Sequence, residues 1–435
     1  MVVSSVRRAS GVLMTLALVG VLAACGTQSP TPPPTLTVRT SQSPGASPSP
    51  SPVALPSPVL GLDWGRAASV ERPEEAFAQP SPGASIPFSL GITRSGHPLH
   101  FPGQAIMADV ASAPSRELVS VGYVYPGWHP AAWTSVDGRA WELQEMGTTE
   151  FTFPVALTTG PDGTIVAVGR SGSAPIAWTS QDGRSWQPHG VAILGDGKVA
   201  ERMTTVVAVP GGYLAGGSVG PELLDRHARF WRSTDGATWT PVDDDSEAFE
   251  NAEVRAIAVH GDGLVAIGTV GDAQAITGSV AWVSDDGDQW TRVDDNALDG
   301  GRAVALAEAP FGGVVAVGSD ATEDEAFAWV SEDGRSWTRA PSEPSRQYHG
   351  KVRMTDVAVV GEELVGVGNY VGLQRGTAIS WVSRDGLHWE QARSAPVQEQ
   401  VELYAVVHSG SGIVAVGSFG APDDYIPVVL LSPAR

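Results

Sequence analysis

The chain is short of cysteine, of charge, of basic runs and of helical pattern, and each shortage closes off a class of protein. Cys25 is the only thiol, so nothing C-terminal to it can form a disulfide, supply a cysteine nucleophile or hold zinc through sulfur. Charged residues make up only 17% of the sequence, and beyond the N-terminus no segment sustains the apolar period of a helix. No cluster of Lys or Arg relieves a net charge of −21, so a polyanion is repelled and nucleic acid is not an expected partner. The one long apolar stretch, Gly11 to Ala24, is too short for a comfortable membrane span.

That stretch follows Arg7-Arg8 and ends at Cys25, the layout of an export signal over residues 1–25. Leu22-Ala23-Ala24-Cys25 resembles the lipobox of bacterial lipoproteins. The resemblance implies cleavage before Cys25, a lipid on its thiol, and a protein held on the outer side of the cytoplasmic membrane. Residues 26–58 are mostly Pro, Ser and Thr and cannot bury a core. They read as an extended stalk of roughly 3 Å per residue, reaching up to about 100 Å from the lipid.

From residue 59 to residue 435 the sequence is abundant in glycine and repeats itself. An apolar run ending in glycine recurs seven times, at Gly122, Gly169, Gly217, Gly268, Gly318, Gly368 and Gly417, with 47 to 51 residues between successive copies. After each of the first six comes Ser-x-Asp-Gly-x-x-Trp, starting at Ser135, Ser180, Ser233, Ser284, Ser331 and Ser383, with a further tryptophan two residues before each serine. The unit beginning at Val254 reads as four short strands: VRAIAVHGDG, LVAIGTVG, SVAWVSDDG and DQWTRVDD. Seven such units predict an all-β, seven-bladed propeller of four-stranded antiparallel blades.

The seventh unit stops at Arg435 without its turn or fourth strand. Gly61-Leu62-Asp63-Trp64-Gly65-Arg66 aligns with Gly386-Leu387-His388-Trp389-Glu390-Gln391, so the segment around Trp64 is expected to be the missing strand. Joining head and tail in one sheet leaves no open edge in the ring. An irregular insertion is expected at about 67–104.

The repeated turn resembles the Asp-box, or BNR, repeat of sialidase-superfamily and sortilin-type propellers, over seven units from about Val59 to Arg435. Here Asp and Gly are adjacent, whereas the usual box separates them, which leaves the turn type open. Asp137, Asp182, Asp235, Asp286, Asp333 and Asp385 are expected to be structural, each accepting backbone N–H groups of its own turn. Of the 14 tryptophans only Trp128 belongs to no repeat position.

Function is expected on the face carrying the loops between second and third strands, where sequence is free to vary. Tyr125, Trp128, Tyr370, Phe419 and Tyr425 lie on those loops or at their edges, with Tyr348 and His349 in a nearby connection, and amphipathic aromatics of this kind bind proteins or glycans. Arg202, Arg255, Arg302 and Arg353 fall near the starts of first strands, with Glu201, Glu253 and Glu402 in similar places. The sialidase resemblance implies that arginines such as Arg202, Arg302 and Arg353 hold a carboxylate, and that Glu402 activates Tyr404 as nucleophile. Against it, sialidase domains have six blades and an Arg-Ile-Pro signature that this chain lacks. His97 and His100, Gly261-Asp262-Gly263, Asp243-Asp244-Asp245 and Glu323-Asp324-Glu325 make no convincing metal or phosphate site, so no metal or cofactor is expected. The expectation is therefore a monomeric, non-catalytic scaffold binding a protein or glycan at the cell envelope, with a sialidase-like glycoside hydrolase or related carbohydrate-active enzyme as the alternative.

Overall fold

Apolar runs such as VVAVG do not alternate, because the strand they form is covered on both faces. In the computed structural model these runs are the second strands of seven sheets, and each is buried almost throughout. The structure describes residues 62–67, 69–70 and 105–433, apart from positions 126, 148–149, 194–198, 221–225, 243–246, 272–274, 342–350, 372–375, 393–399, 411 and 421–425. Cys25, the stalk, His97, His100, Asp243 to Asp245, Tyr348, His349 and Tyr425 lie outside the described residues.

The seven sheets are seven blades, each with its strands in sequence order except where the ring closes. Blade one is built from Ala105–Ser112, Leu118–Val124, His129–Ser135 and Ala140–Glu145. Blade seven is built from Val401–Ser409, Gly412–Phe419, Ile426–Ser432 and, from the other end of the chain, Gly65–Arg66. The closing strand is antiparallel to the last one, with Gly65 opposite Leu431 and Arg66 opposite Leu430. Ala67 N–H donates to the Val429 carbonyl at 3.0 Å, and Asp63 N–H to Ser432 Oγ at 2.8 Å. Trp64 is buried and its Nε1 donates to Ser380 Oγ of blade six at 3.0 Å.

The insertion begins in an unexpected way. Ser69–Val70 pairs parallel with Ala140 and Trp141, making a fifth strand on the outer edge of blade one. One short stretch of chain therefore closes blade seven and then covers the edge of its neighbour.

Packing follows the seams. Seven apolar clusters occupy the seven junctions between blades, and six of them hold both tryptophans of a repeat, such as Trp381 with Trp389 and Trp133 with Trp141. The third-strand tryptophans are 0% exposed. At the junction of blades six and seven, Trp64 and Leu430 take the places of that pair.

Each first strand lines the axis and carries a one-residue bulge at the same repeat position. The extra residues are Ala108, Val155, Thr204, Arg255, Val304, Thr355 and Tyr404. A bulge re-aims side chains, here toward the centre of the ring. It also presses the first strand onto the second: a Cβ on Gly122, Gly169, Gly217, Gly268, Gly318, Gly368 or Gly417 would collide with a carbonyl oxygen just before the bulge. The glycine that ends each apolar run is required by that close approach.

Candidate ligand-binding face

Antiparallel order puts the Ser-x-Asp-Gly-x-x-Trp turns and the first-to-second hairpins at one end of the ring. The second-to-third loops and the connections between blades share the other. A cavity of about 520 Å³ lies on the axis, lined by first-strand residues of all seven blades. Its lining mixes aliphatic side chains with polar ones: Arg255, Arg302, Arg353, Glu323, Tyr404 and Tyr123 line it together with two aspartates, Asp109 and Asp356.

The arginines do not form one clamp. Arg302 and Arg353 both pair with Glu323, which Lys351 also approaches. Arg202 instead shares Glu253 with Arg226 and Arg255, and Ser218 Oγ donates to the same carboxylate at 3.0 Å. Burial works against ionisation of Glu253, but Arg255, Arg226 and Arg202 outweigh it and hold its pKa below the usual value. Burial also pulls Arg302 below the ordinary guanidinium value, with Arg255 and Arg353 adding to the effect against Glu323.

Glu402 and Tyr404 do meet. The Tyr404 hydroxyl donates to Glu402 Oε2 at 3.0 Å and lies 3.1 Å from Ser418 Oγ. Burial, then the neighbouring Glu402 charge, pushes the phenol well above its usual pKa, so at rest it is a weak nucleophile. Tyr404 lines the cavity with Arg302 and Arg353, whereas Arg202 and Glu402 stand back from it.

Asp109 and Asp356 occupy the position after the bulge, where the other blades have Ala156, Thr205, Ala256, Ala305 and Ala405. Asp109 accepts N–H bonds from Val110 and, across the seam, from Leu157 of blade two. Asp356 accepts from Val357 and from Val406 of blade seven, at 2.8 and 2.7 Å. Burial pushes both up to about 7, and the charge of Asp356 adds to the rise at Asp109.

The aromatic candidates divide. Tyr125 and Trp128 pack with their rings tilted by 58° and centroids 4.0 Å apart, and Trp128 also packs on Tyr123 at 5.2 Å and on Phe153 of blade two at 5.6 Å. Tyr370 instead packs against the core between blades five and six, and Phe419 lies beneath the Arg66 guanidinium at 4.4 Å. Trp128 holds φ +55°, in the left-handed region, and so does Phe151 at +60°. Two backbone bonds lock the loop: Phe151 N–H to Gly127 O at 2.8 Å and Thr152 N–H to Trp128 O at 3.0 Å. Burial, then Tyr123, raises Tyr125 to about 12.

At the opposite end the six turn aspartates repeat one geometry. In each, Oδ1 accepts the N–H groups two and three residues on, as Asp333 does from Arg335 and Ser336 at 2.8 and 2.9 Å. The glycine takes φ of +70° to +77°, and the closing tryptophan Nε1 donates to the glycine carbonyl. Backbone N–H bonds hold Asp137, Asp182, Asp235, Asp286 and Asp333 below the usual carboxylate value. At Asp385 burial opposes, and His388 with two N–H groups overcomes it. These carboxylates spend their acceptor capacity inside their own turns.

Tyr123, Phe153, Asp109 and Asp356 were not singled out in the sequence, and Glu323 entered only as part of an acidic loop triplet. Aligning repeats column by column marks several of them. Tyr123 follows the terminal glycine, where the other units have Arg170, Ser218, Thr269, Ser319, Asn369 and Ser418, and the two aspartates interrupt a column of small residues. Glu323 carries no such signal, since it lies in the second-to-third loop of blade five, outside the repeating strands.

The molecule is an all-β propeller of seven blades. Its sequence matches no family model and no curated protein. Among solved structures it is similar to a Dyadobacter fermentans protein described as of unknown function, at 17% identity and a TM-score of 0.49, over 76% of this chain and 95% of that one. It is similar also to YCF48 bound to D1 peptide, at 14% identity and a TM-score of 0.49, over 77% and 94%. A Trypanosoma rangeli sialidase, as a covalent intermediate with 2,3-difluorosialic acid, shares 11% identity at a TM-score of 0.49, over 85% of this chain and 59% of the sialidase.

Proposed function

We propose that the protein is a non-catalytic binding scaffold. A lipid on Cys25 and the stalk of residues 26–58 hold it outside the cytoplasmic membrane, and the face bearing the second-to-third loops binds a protein or glycan of the cell envelope. The observation that carries this reading is Trp128. A bulky residue in the left-handed region costs on the order of 1 kcal/mol or more, and such outliers gather where a ligand is held. Here the cost fixes a partly buried indole at the centre of a four-ring cluster. Replacing Trp128 with Ala should weaken capture of an envelope component while thermal unfolding stays nearly unchanged. A large loss of stability with unchanged capture would make the residue core and defeat the reading.

A second reading, a sialidase-like glycosidase, is favoured by the Tyr404–Glu402 hydrogen bond beside a cavity holding Arg302 and Arg353. It requires Glu323 to release both guanidinium groups to a substrate carboxylate. Hydrolysis of a fluorogenic sialoside by the purified protein, compared with Arg353→Ala, tests it. Equal null rates would dispose of it.

A further inference from the structure

Two carboxylates stand beside the Trp128 cluster without an ion-pair partner among the described residues. Glu145 ends the fourth strand of blade one, opposite Ala131, and is exposed. Glu150 lies in the connection to blade two, so close to the loop that a Cβ on Gly127 would sit 3.2 Å from its Cγ. Both act electrostatically on His129, next to Trp128, but burial pulls that imidazole below its usual pKa and leaves it neutral at pH 7. Among the described residues neither Glu145 nor Glu150 has an ion-pair partner. A partly exposed aromatic face and two carboxylates without ion-pair partners among the described residues are therefore found together on a chain of net charge −21.

Aromatic faces attract cations through the ring quadrupole, and guanidinium groups most often. This molecule uses that contact internally. Arg170 lies over Phe153 at 4.6 Å, Arg66 over Phe419 at 4.4 Å and Arg339 over Phe327 at 4.9 Å. The Trp128 and Tyr125 rings offer the same kind of surface on the loop-bearing face, with the acids at its foot.

We propose that Trp128 and Tyr125, flanked by Glu145 and Glu150, seat an arginine or lysine side chain from a basic segment of a protein partner. The inference rests on the scaffold reading and narrows it to one chemistry. A neutral glycan would pack on the rings and its hydroxyls would bond the two carboxylates, but their charge would go uncompensated. A basic segment satisfies both halves of the site.

The test is fluorescence anisotropy of a short arginine-rich peptide with the full chain, against the same peptide bearing uncharged citrulline in place of arginine. The arginine peptide should bind at least about tenfold more tightly, and raised salt should weaken it. Trp128→Ala should reduce its affinity about tenfold without altering net charge, so general attraction of a cation to an acidic chain cannot explain the loss. The double variant Glu145→Gln/Glu150→Gln, which keeps the shape of both side chains and removes only their charge, should weaken binding too, and it decides the matter if Trp128→Ala unfolds. Equal affinity for the two peptides, or indifference to the double variant, overturns the inference. If Trp128→Ala still abolishes capture of an envelope component in that case, the scaffold reading survives. If it does not, both fall.

Discussion

Asp109 and Asp356 show how one residue can tie two blades together and set a pH dependence. Each carboxylate bridges to the next blade through a backbone N–H, at Leu157 and Val406, in a site so buried that ionisation is opposed. Their pKa of about 7 in the fold lies above the ordinary aspartate value of 3.8. The folded state therefore binds more protons than the unfolded chain between those values, and the stabilisation is complete below the lower one and lost as pH rises through the upper one. The turn aspartates act in the opposite sense: their pKa values are depressed, so their contribution is present above the unfolded value and lost as pH falls below it. The melting temperature should thus fall as pH is raised from about 5 to about 8, and fall again in strong acid. Asp356→Asn fixes the side chain in an uncharged shape and should flatten the upper slope in a thermal unfolding series. An unchanged slope would show that the pair does not govern it.

At the scale of the element, the Ser-x-Asp-Gly-x-x-Trp turn is both a cap and a wedge. Its glycine is left-handed and lies against the second strand of the preceding blade: a Cβ on Gly334 would come within 2.6 Å of Val265, and one on Gly386 within 2.8 Å of Val315. Gly361, in a first-to-second hairpin, has a similar φ of +62° but open space around it. Substituting alanine at Gly361 should cost about 1 kcal/mol, the conformational term alone. Gly334→Ala should cost about 2–3 kcal/mol, because overpacking is added. Denaturant unfolding of the two variants measures the difference, and equal losses would mean that the turn caps its own strand without wedging the seam. This economy made the fold legible. A motif demanding Ser, Asp, Gly and Trp at fixed spacing marks six of the seven third strands, and the terminal glycines mark every bulge, so blade count and strand order could be read directly. The site was less legible because loops follow no such demand. Trp128 stood out for lying outside the repeat, but its partners Tyr123 and Phe153 sit on regular strands, and Glu323 reaches Arg302 and Arg353 from a loop whose course no repeat dictates.

At the scale of the whole molecule, everything depends on a very short piece of chain. Six junctions are each filled by two tryptophans delivered from one continuous repeat, while the seventh relies on Trp64 arriving from the far end of the sequence. Two residues of ladder, Gly65 and Arg66, then hold Leu431 and Leu430 in register, and Ser69–Val70 clips onto blade one. Without that segment the last strand would present an unpaired edge, the seam between blades six and seven would lose its tryptophan, and no strand would tie blade seven to the start of blade one. Trp64→Ala should therefore cost about 3–5 kcal/mol, as for a fully buried tryptophan elsewhere. What separates ring closure from ordinary packing is a covalent rescue. Because Gly65 and Leu431 are direct partners in the sheet, cysteines placed at those two positions should form a disulfide joining the two ends of the propeller. The lock closes a loop of several hundred residues, so oxidation should raise the melting temperature of the Trp64→Ala protein by several degrees, with reductant reversing the gain. The same cysteine pair placed between two strands of one blade, where only a short loop is closed, should help much less. Equal rescue by the two pairs would mean that Trp64 matters as core volume alone, and that the circle does not depend on its clasp.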